Sequence, residues 1–288
     1  MHQLNYFKDT IGKFLSQRCI SSPIFIIGCG RSGTSVLLQA LGKHPSIIAL
    51  LGEAPLITSI GGNASLFFSD KAEYYRSSLK MNLDHLFEDL SKLGLEIAGG
   101  EHYALNNFLK ALRVGEYKRK KYWSAKTFPT ENVEKGLLAV YPNARFIYIA
   151  RNGIDVVHSM TKYHGFRDQE FTKNCQVWSD SVEKYRYLTQ YENALFLKHE
   201  DLISNPDDFF VSIFTYLNLN FSQKSIDFIK NNIVHPLDQP SQNEQDAITQ
   251  LKNRKSPFNT WTTEQQQTFI SICSEAMNEL QYSTPNLH

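Results

Sequence analysis

Residues 24–28, IFIIG, run into the loop Gly28-Cys29-Gly30-Arg31-Ser32-Gly33-Thr34-Ser35 and then into TSVLLQALGK, and this succession restricts the fold more than any other feature of the chain. The first piece is short, β-branched and bounded by Pro23 and a glycine cluster, which predicts a buried strand. The last piece predicts a helix over 34–43, stopped at His44-Pro45. Glycines between them let the backbone curl, so that successive N–H groups point to one place. The helix N-terminus adds its partial positive charge, and the hydroxyls of Ser32, Thr34 and Ser35 add donors. Such a loop suits a phosphate. A plain strand-to-helix turn is the simpler alternative for the loop taken alone.

The rest of the chain repeats the alternation. Strands are predicted at 121–125, 145–150 and 194–198, and helices at roughly 71–92, 131–141, 153–162, 169–190, 207–217 and 263–280. Alternating strands and helices predict an α/β fold in three layers, a parallel sheet with helices on both faces. We expect one domain over residues 1–288. Hydrophobic residues make up 42% of the chain, enough for a sizeable core. Residues 54–120 hold no strong strand signal and read as a mainly helical insertion on the acceptor side of the site. Residues 235–262 are rich in Pro, Gln, Asn and Lys and read as a long lid-like loop.

Composition excludes several classes. Net charge is +1, so no general affinity for polyanions follows, and no basic-aromatic patch points to nucleic acid. The four cysteines, Cys19, Cys29, Cys175 and Cys273, are widely spaced, which disfavours a disulfide scaffold or a zinc site and predicts reduced, mostly buried thiols. Residues 1–22 lack the pattern of a signal peptide, and 24–28 is too short to span a bilayer. The expectation is a cytoplasmic protein with no membrane partner. Its oligomeric state is not legible.

The loop departs from the nucleoside-triphosphatase pattern G-x-x-x-x-G-K-[ST]: Thr34 stands where the phosphate-binding lysine belongs, and the cation is Arg31, inside the loop. The strand at 145–150 is followed by Arg151, not by an Asp that could hold Mg²⁺. These departures favour a nucleotide bound without metal. Arg151 lies at the carboxyl end of a central strand, where open α/β sheets bind ligands. Ser159 lies about two turns into the next helix, so a guanidinium and a hydroxyl could grip one phosphate there. The alternatives are an Arg151–Asp155 ion pair and a Ser159 hydroxyl bonded within its own helix.

The segments PIFIIGCGRSGTSVLLQALGKHP (23–45) and RFIYIARNGIDVVHSM (145–160) resemble the sulfotransferases that use 3′-phosphoadenosine 5′-phosphosulfate (PAPS). KHEDLISNP (198–206) and RKSPFNTWTTEQ (254–265) are smaller echoes of that family. The resemblance implies a P-loop-NTPase-like fold and transfer of a sulfuryl group from PAPS to a small-molecule acceptor. Adenosine 3′,5′-bisphosphate would be the product, with no metal required. It implies that Gly30, Arg31, Ser32, Gly33, Thr34 and Ser35 hold the 5′-phosphosulfate. Arg151, Ser159, Arg254 and Lys255 would hold the 3′-phosphate, although in a loop Arg254 and Lys255 could as well be solvent-facing charges.

Arg31 would stabilise charge on the leaving oxygen, since an arginine stays protonated. In a branch similar to protein-tyrosine sulfotransferases, a glutamate at the distance of Glu53 acts as base and a lysine at the position of Lys126 neutralises the leaving phosphate. A capping or ion-paired role for Glu53 and an exposed lysine at 126 are the alternatives. Other branches use a histidine, which brings in His102 and His164. The overall look resembles bacterial and cyanobacterial natural-product sulfotransferases, including those acting on saxitoxin-type alkaloids. Two other classes stay open at this point, a P-loop kinase and a non-catalytic nucleotide-binding protein.

Overall fold

The computed structural model describes residues 22–50, 122–127, 133–189, 192–234 and 256–285. Five strands form one parallel sheet: β1 (Ser22–Ile27), β2 (Ile47–Ala49), β3 (Tyr122–Lys126), β4 (Arg145–Ala150) and β5 (Ala194–Lys198). Their order in the sheet is β2-β3-β1-β4-β5. This is the parallel α/β fold with flanking helices that the alternation predicts, and it agrees with the P-loop-NTPase-like fold that the resemblance implies.

Contacts cluster into two compact units, one of Met1–Ile26 with Leu38–Phe146 and one of Ile27–Leu37 with Ile147–His288. In the first, β1 pairs with β3 in parallel, Ile26 opposite Lys126, and β2 pairs with β3. Phe25, Trp123, Tyr141 and Phe146 fill its core, with Phe25 edge-on to Trp123 at 5.5 Å between ring centres. Helix α2 (Val133–Val140) belongs to this unit. β2 has only three residues and carries no periodic signal, so it was not legible. It is reached by a tight turn in which His44 Nδ1 accepts the Ser46 amide at 3.0 Å.

The second unit holds the first half of α1 (Thr34–Leu41), up to Leu37, then α3 (Gly153–Met160), α4 (Phe171–Tyr185), α5 (His199–Ser204), α6 (Pro206–Tyr216), α7 (Gln223–Ile229) and α8 (Thr263–Glu279). α5 and α7, at six and seven residues, are too short to show a clear apolar stripe. α4 stops at Tyr185 and tightens into a 3₁₀ turn over Arg186–Thr189, short of the predicted end at 190. α8 starts on a full capping box: Thr262 Oγ1 accepts from the Gln265 amide and the Gln265 side chain accepts from the Thr262 amide. It packs on α4 through Trp178 stacked against Phe269, and Ser179 donates to the Ile272 carbonyl at 3.1 Å.

The end of the predicted 235–262 loop is not loop-like. Pro257–Thr260 forms a 3₁₀ turn, and Phe258 and Trp261 are buried against Phe269, with Phe171 edge-on to Trp261. Two large aromatics overrode a polar composition there. The predicted insertion at 54–120 and the remainder of that loop, 235–255, lie outside the described residues. Cys29, Cys175 and Cys273 are buried free thiols. Among the described residues no helix is long and apolar enough to cross a membrane.

Candidate active site

The site is built at the carboxyl ends of β1 and β4, neighbours in the sheet at the point where the chain switches direction. Gly28, the residue after β1, lies so close to β4 that a Cβ on it would lie 2.4 Å from the Ile149 carbonyl oxygen. The loop then turns sharply, with the Ser32 amide donating to the Cys29 carbonyl at 3.1 Å. Arg31 is the third residue of that turn and holds a left-handed φ of 70°. A non-glycine residue there costs about 1–2 kcal/mol. Such strain marks a place where the side chain matters more than the backbone's comfort. Gly33 is left-handed as well, at φ 92°.

Arg31 is fixed on three sides. Its Nε donates to Ser159 Oγ at 3.1 Å, and its guanidinium lies 4.0 Å above the Tyr163 ring centre. Its carbonyl accepts from Arg151 Nη1 at 3.0 Å. The loop and the β4–α3 motif therefore meet. Ser159 does not use its hydroxyl only on its own helix; it accepts a charged donor 128 residues away in sequence. Arg31, Arg151, Ser159, Asp155, His158, Lys162 and Tyr163 line one cleft of about 240 Å³. Three cations, Arg31, Arg151 and the exposed Lys162, against one carboxylate, Asp155, make it a place for an anion.

The loop's fit to a phosphate group rests on its own atoms. The Ser32 hydroxyl is buried and has no hydrogen-bond partner among the described residues. Such an orphan donor is expensive unless a ligand answers it. Thr34 is buried at the start of α1 and Ser35 is exposed.

Sequence reasoning missed the residues that hold this arrangement. His199, at the head of α5, lies under the loop; a Cβ on Gly33 would sit 2.4 Å from its Cδ2. Burial, and then the charge of Arg151, push its pKa down to about 3, so the ring is neutral at ordinary pH. Phe166 packs over Gly30. Trp178 Nε1 donates to the Arg151 carbonyl at 3.3 Å. Glu200 Oε1 accepts the Asn152 amide at 2.9 Å, and Asn152 Oδ1 caps α3 by accepting from Ile154 N at 2.9 Å. The pattern KHEDL at 198–202 does not say which way its side chains face.

Of the other predicted residues, Lys126 ends β3 and is buried, 9% exposed, which is not the setting of an ordinary surface lysine. His164 is exposed and lies against Tyr163, with ring centres 4.3 Å apart. Glu53, His102, Arg254 and Lys255 lie outside the described residues.

The sequence model of the sulfotransferase family matches residues 23–223. The chain belongs to the sulfotransferase family. Solved structures of similar fold include the sulfotransferase domain of the Synechococcus PCC 7002 olefin synthase, at TM-score 0.52 and 16% identity over 92% of this chain and 96% of that one. The sulfotransferase domain of the curacin biosynthetic pathway aligns at TM-score 0.50 and 15% identity, covering 92% of this chain and 99% of that one. A mouse sulfotransferase, SULT7A1, complexed with PAP, aligns at TM-score 0.50 and 14% identity, covering 94% of each chain. No curated protein matches the chain.

Proposed function

We propose that this protein transfers a sulfuryl group from PAPS to a hydroxyl or an amine or carbamoyl nitrogen of a small molecule of the natural-product kind. The observation that carries this reading is the Arg31–Ser159 hydrogen bond beside the Arg151–Arg31 carbonyl bond. It joins two phosphate motifs, far apart in sequence, in one cationic cleft. Family membership makes sulfuryl transfer the expected chemistry, and the fold it shares with a PAP complex makes the nucleotide the expected occupant.

When bound, the nucleotide supplies a sulfuryl group on a phosphosulfate anhydride. The chain's residues do the rest by position and charge. Arg151 and Ser159 hold the 3′-phosphate. The amides of 30–35, with the Ser32, Thr34 and Ser35 hydroxyls, hold the 5′ end. Arg31 has its Nε on Ser159, which leaves both Nη groups to meet charge on the leaving oxygen. Glu53 takes the acceptor's proton, and Lys126 balances charge on the departing bisphosphate. Arg254 and Lys255, which the family resemblance points to, add positive charge for the 3′-phosphate. The protein works in the cytoplasm and takes no metal.

The test is a calorimetric titration with adenosine 3′,5′-bisphosphate against Mg-ATP, followed by turnover of labelled PAPS with a panel of alcohol and carbamoyl acceptors, saxitoxin-type alkaloids among them. Bisphosphate should bind and Mg-ATP should not. Arg151→Ala should weaken bisphosphate binding about 30-fold or more, the scale of a lost charge-assisted pair. Arg31→Ala should remove turnover and weaken binding less. Preference for Mg-ATP would establish the kinase reading, and binding without turnover on any acceptor would establish a non-catalytic nucleotide-binding protein.

A further inference from the structure

Helix α8 ends in a left-handed turn that aims the chain back at the site. Leu280 caps it, Gln281 holds φ 59°, the Gln281 amide donates to the Asn278 carbonyl at 2.9 Å and the Tyr282 amide to the Met277 carbonyl at 2.8 Å. That pair of bonds is a Schellman motif. Thr284 Oγ1 donates to Asn278 Oδ1 at 3.1 Å and ties the next residues to the same helix end. The turn delivers the Tyr282 hydroxyl to Glu200 Oε2 at 2.8 Å, with Lys198 Nζ 4.7 Å from its ring centre. The other oxygen of the same carboxylate, Oε1, accepts the amide of Asn152, the residue directly after Arg151.

We infer that Glu200 and Tyr282 are positioning residues for Arg151, and that the C-terminal segment after α8 is a latch on the anion-binding turn. The inference rests on the reading of the cleft as a nucleotide site. Arg151 is otherwise held at its carbonyl by Trp178 and through its side chain to the loop. The N–H of its following peptide donates to Glu200, and Glu200 is in turn oriented by Tyr282. A carboxylate with one oxygen on each of two donors cannot rotate without losing one of them. Burial and the adjacent Glu200 charge raise the Tyr282 phenol far above its ordinary value, so it remains an O–H donor across the working pH range. A residue just after α8 is thus bonded to a turn in the middle of the sequence, with Tyr282 lying 131 positions from Arg151. An ordinary helix terminus would need no such bond.

The test compares wild type, Tyr282→Phe, Glu200→Gln and the double variant by calorimetric titration with adenosine 3′,5′-bisphosphate and by steady-state kinetics in PAPS. Tyr282→Phe keeps the ring and its contact with Lys198 and removes only the donor. Its Kd should rise about fivefold, the scale of one hydrogen bond. Glu200→Gln leaves one acceptor oxygen for two donors, and its Kd should rise about tenfold or more. KM for PAPS should rise with Kd while kcat at saturating PAPS changes much less, a split that a general loss of folding would not give. The double variant should be no weaker than Glu200→Gln, because the Tyr282 hydroxyl acts only through Glu200. If the wild type binds bisphosphate and both single variants bind it equally well, the latch is refuted and the nucleotide reading stands. If the wild type binds none, the nucleotide reading falls and the latch with it.

Discussion

The two halves of the anion cleft are held in place by different physics. The loop at 28–35 is shaped by backbone: a left-handed Arg31, a left-handed Gly33, and rings of Phe166 and His199 lying where side chains on Gly30 and Gly33 would go. The turn at 151–153 is shaped by side chains that reach its backbone, with Trp178 on the Arg151 carbonyl, Glu200 on the Asn152 amide and Asn152 on its own helix. The first half tolerates no added atoms. The second has discrete hydrogen bonds that can be removed one at a time. Substitutions in the loop should therefore act abruptly, and those around the turn in graded steps.

The largest effect is expected for Gly33→Ala. The new methyl would lie 2.4 Å from His199 Cδ2, a buried ring, at φ 92°. Left-handed backbone costs about 1–2 kcal/mol and overpacking about 1–3 kcal/mol, so stability should fall by roughly 3–4 kcal/mol. Urea unfolding measures it. Gly33→Ala combined with His199→Ala should recover the overpacking part and leave the backbone part. A single variant within about 0.5 kcal/mol of wild type would show that the loop is held as loosely as any surface turn.

The next effect concerns the ring under the loop. His199 has a folded pKa of about 3 against an ordinary value of 6.5. The unfolded chain therefore binds a proton between those values and the folded chain does not, so stability is full above pH 6.5 and is lost as pH falls toward 3. At pH 5 the loss from this residue should be about 2 kcal/mol. Thermal unfolding at pH 7 and pH 5 checks it, and His199→Gln should flatten the dependence. An unchanged slope in that variant would mean that the ring is not held neutral and does not support the loop in that form.

How much of this was legible in the sequence follows from the same division. Backbone-shaped features announce themselves, because glycines and a β-branched run leave few conformations: β4 falls at 145–150 as predicted, and the loop, Arg31, Arg151 and Ser159 come together as a cationic cleft. Side-chain braces do not announce themselves. Trp178 lies inside a helix whose periodicity shows that it is buried but not that its Nε1 faces the Arg151 carbonyl. Glu200 and Tyr282 are ordinary polar residues until the sheet and the end of α8 set them side by side. Phe258 and Trp261 sit in a stretch whose polar neighbours hid them.

The smallest predicted effect sets the two halves against each other directly. Arg31 and Gln281 are both non-glycine residues in left-handed backbone, one in the loop and one in the turn that carries Tyr282 to Glu200. Glycine at either position relieves strain, since it has no Cβ to oppose a positive φ. At Arg31 the relief comes with loss of the guanidinium and of its contacts with Ser159 and Tyr163, so Arg31→Gly should gain no stability and should lose turnover. At Gln281 the side chain does nothing at the site, and glycine is the residue helix ends favour there. Gln281→Gly should stabilise the protein by about 0.5–1 kcal/mol, with bisphosphate affinity unchanged because the bonds of Tyr282 and Glu200 persist. Unfolding and titration of the two variants side by side read both outcomes. If Gln281→Gly weakens binding, the side chain at 281 belongs to the latch. If it destabilises, the turn at the end of α8 is held by its contacts and not limited by backbone strain.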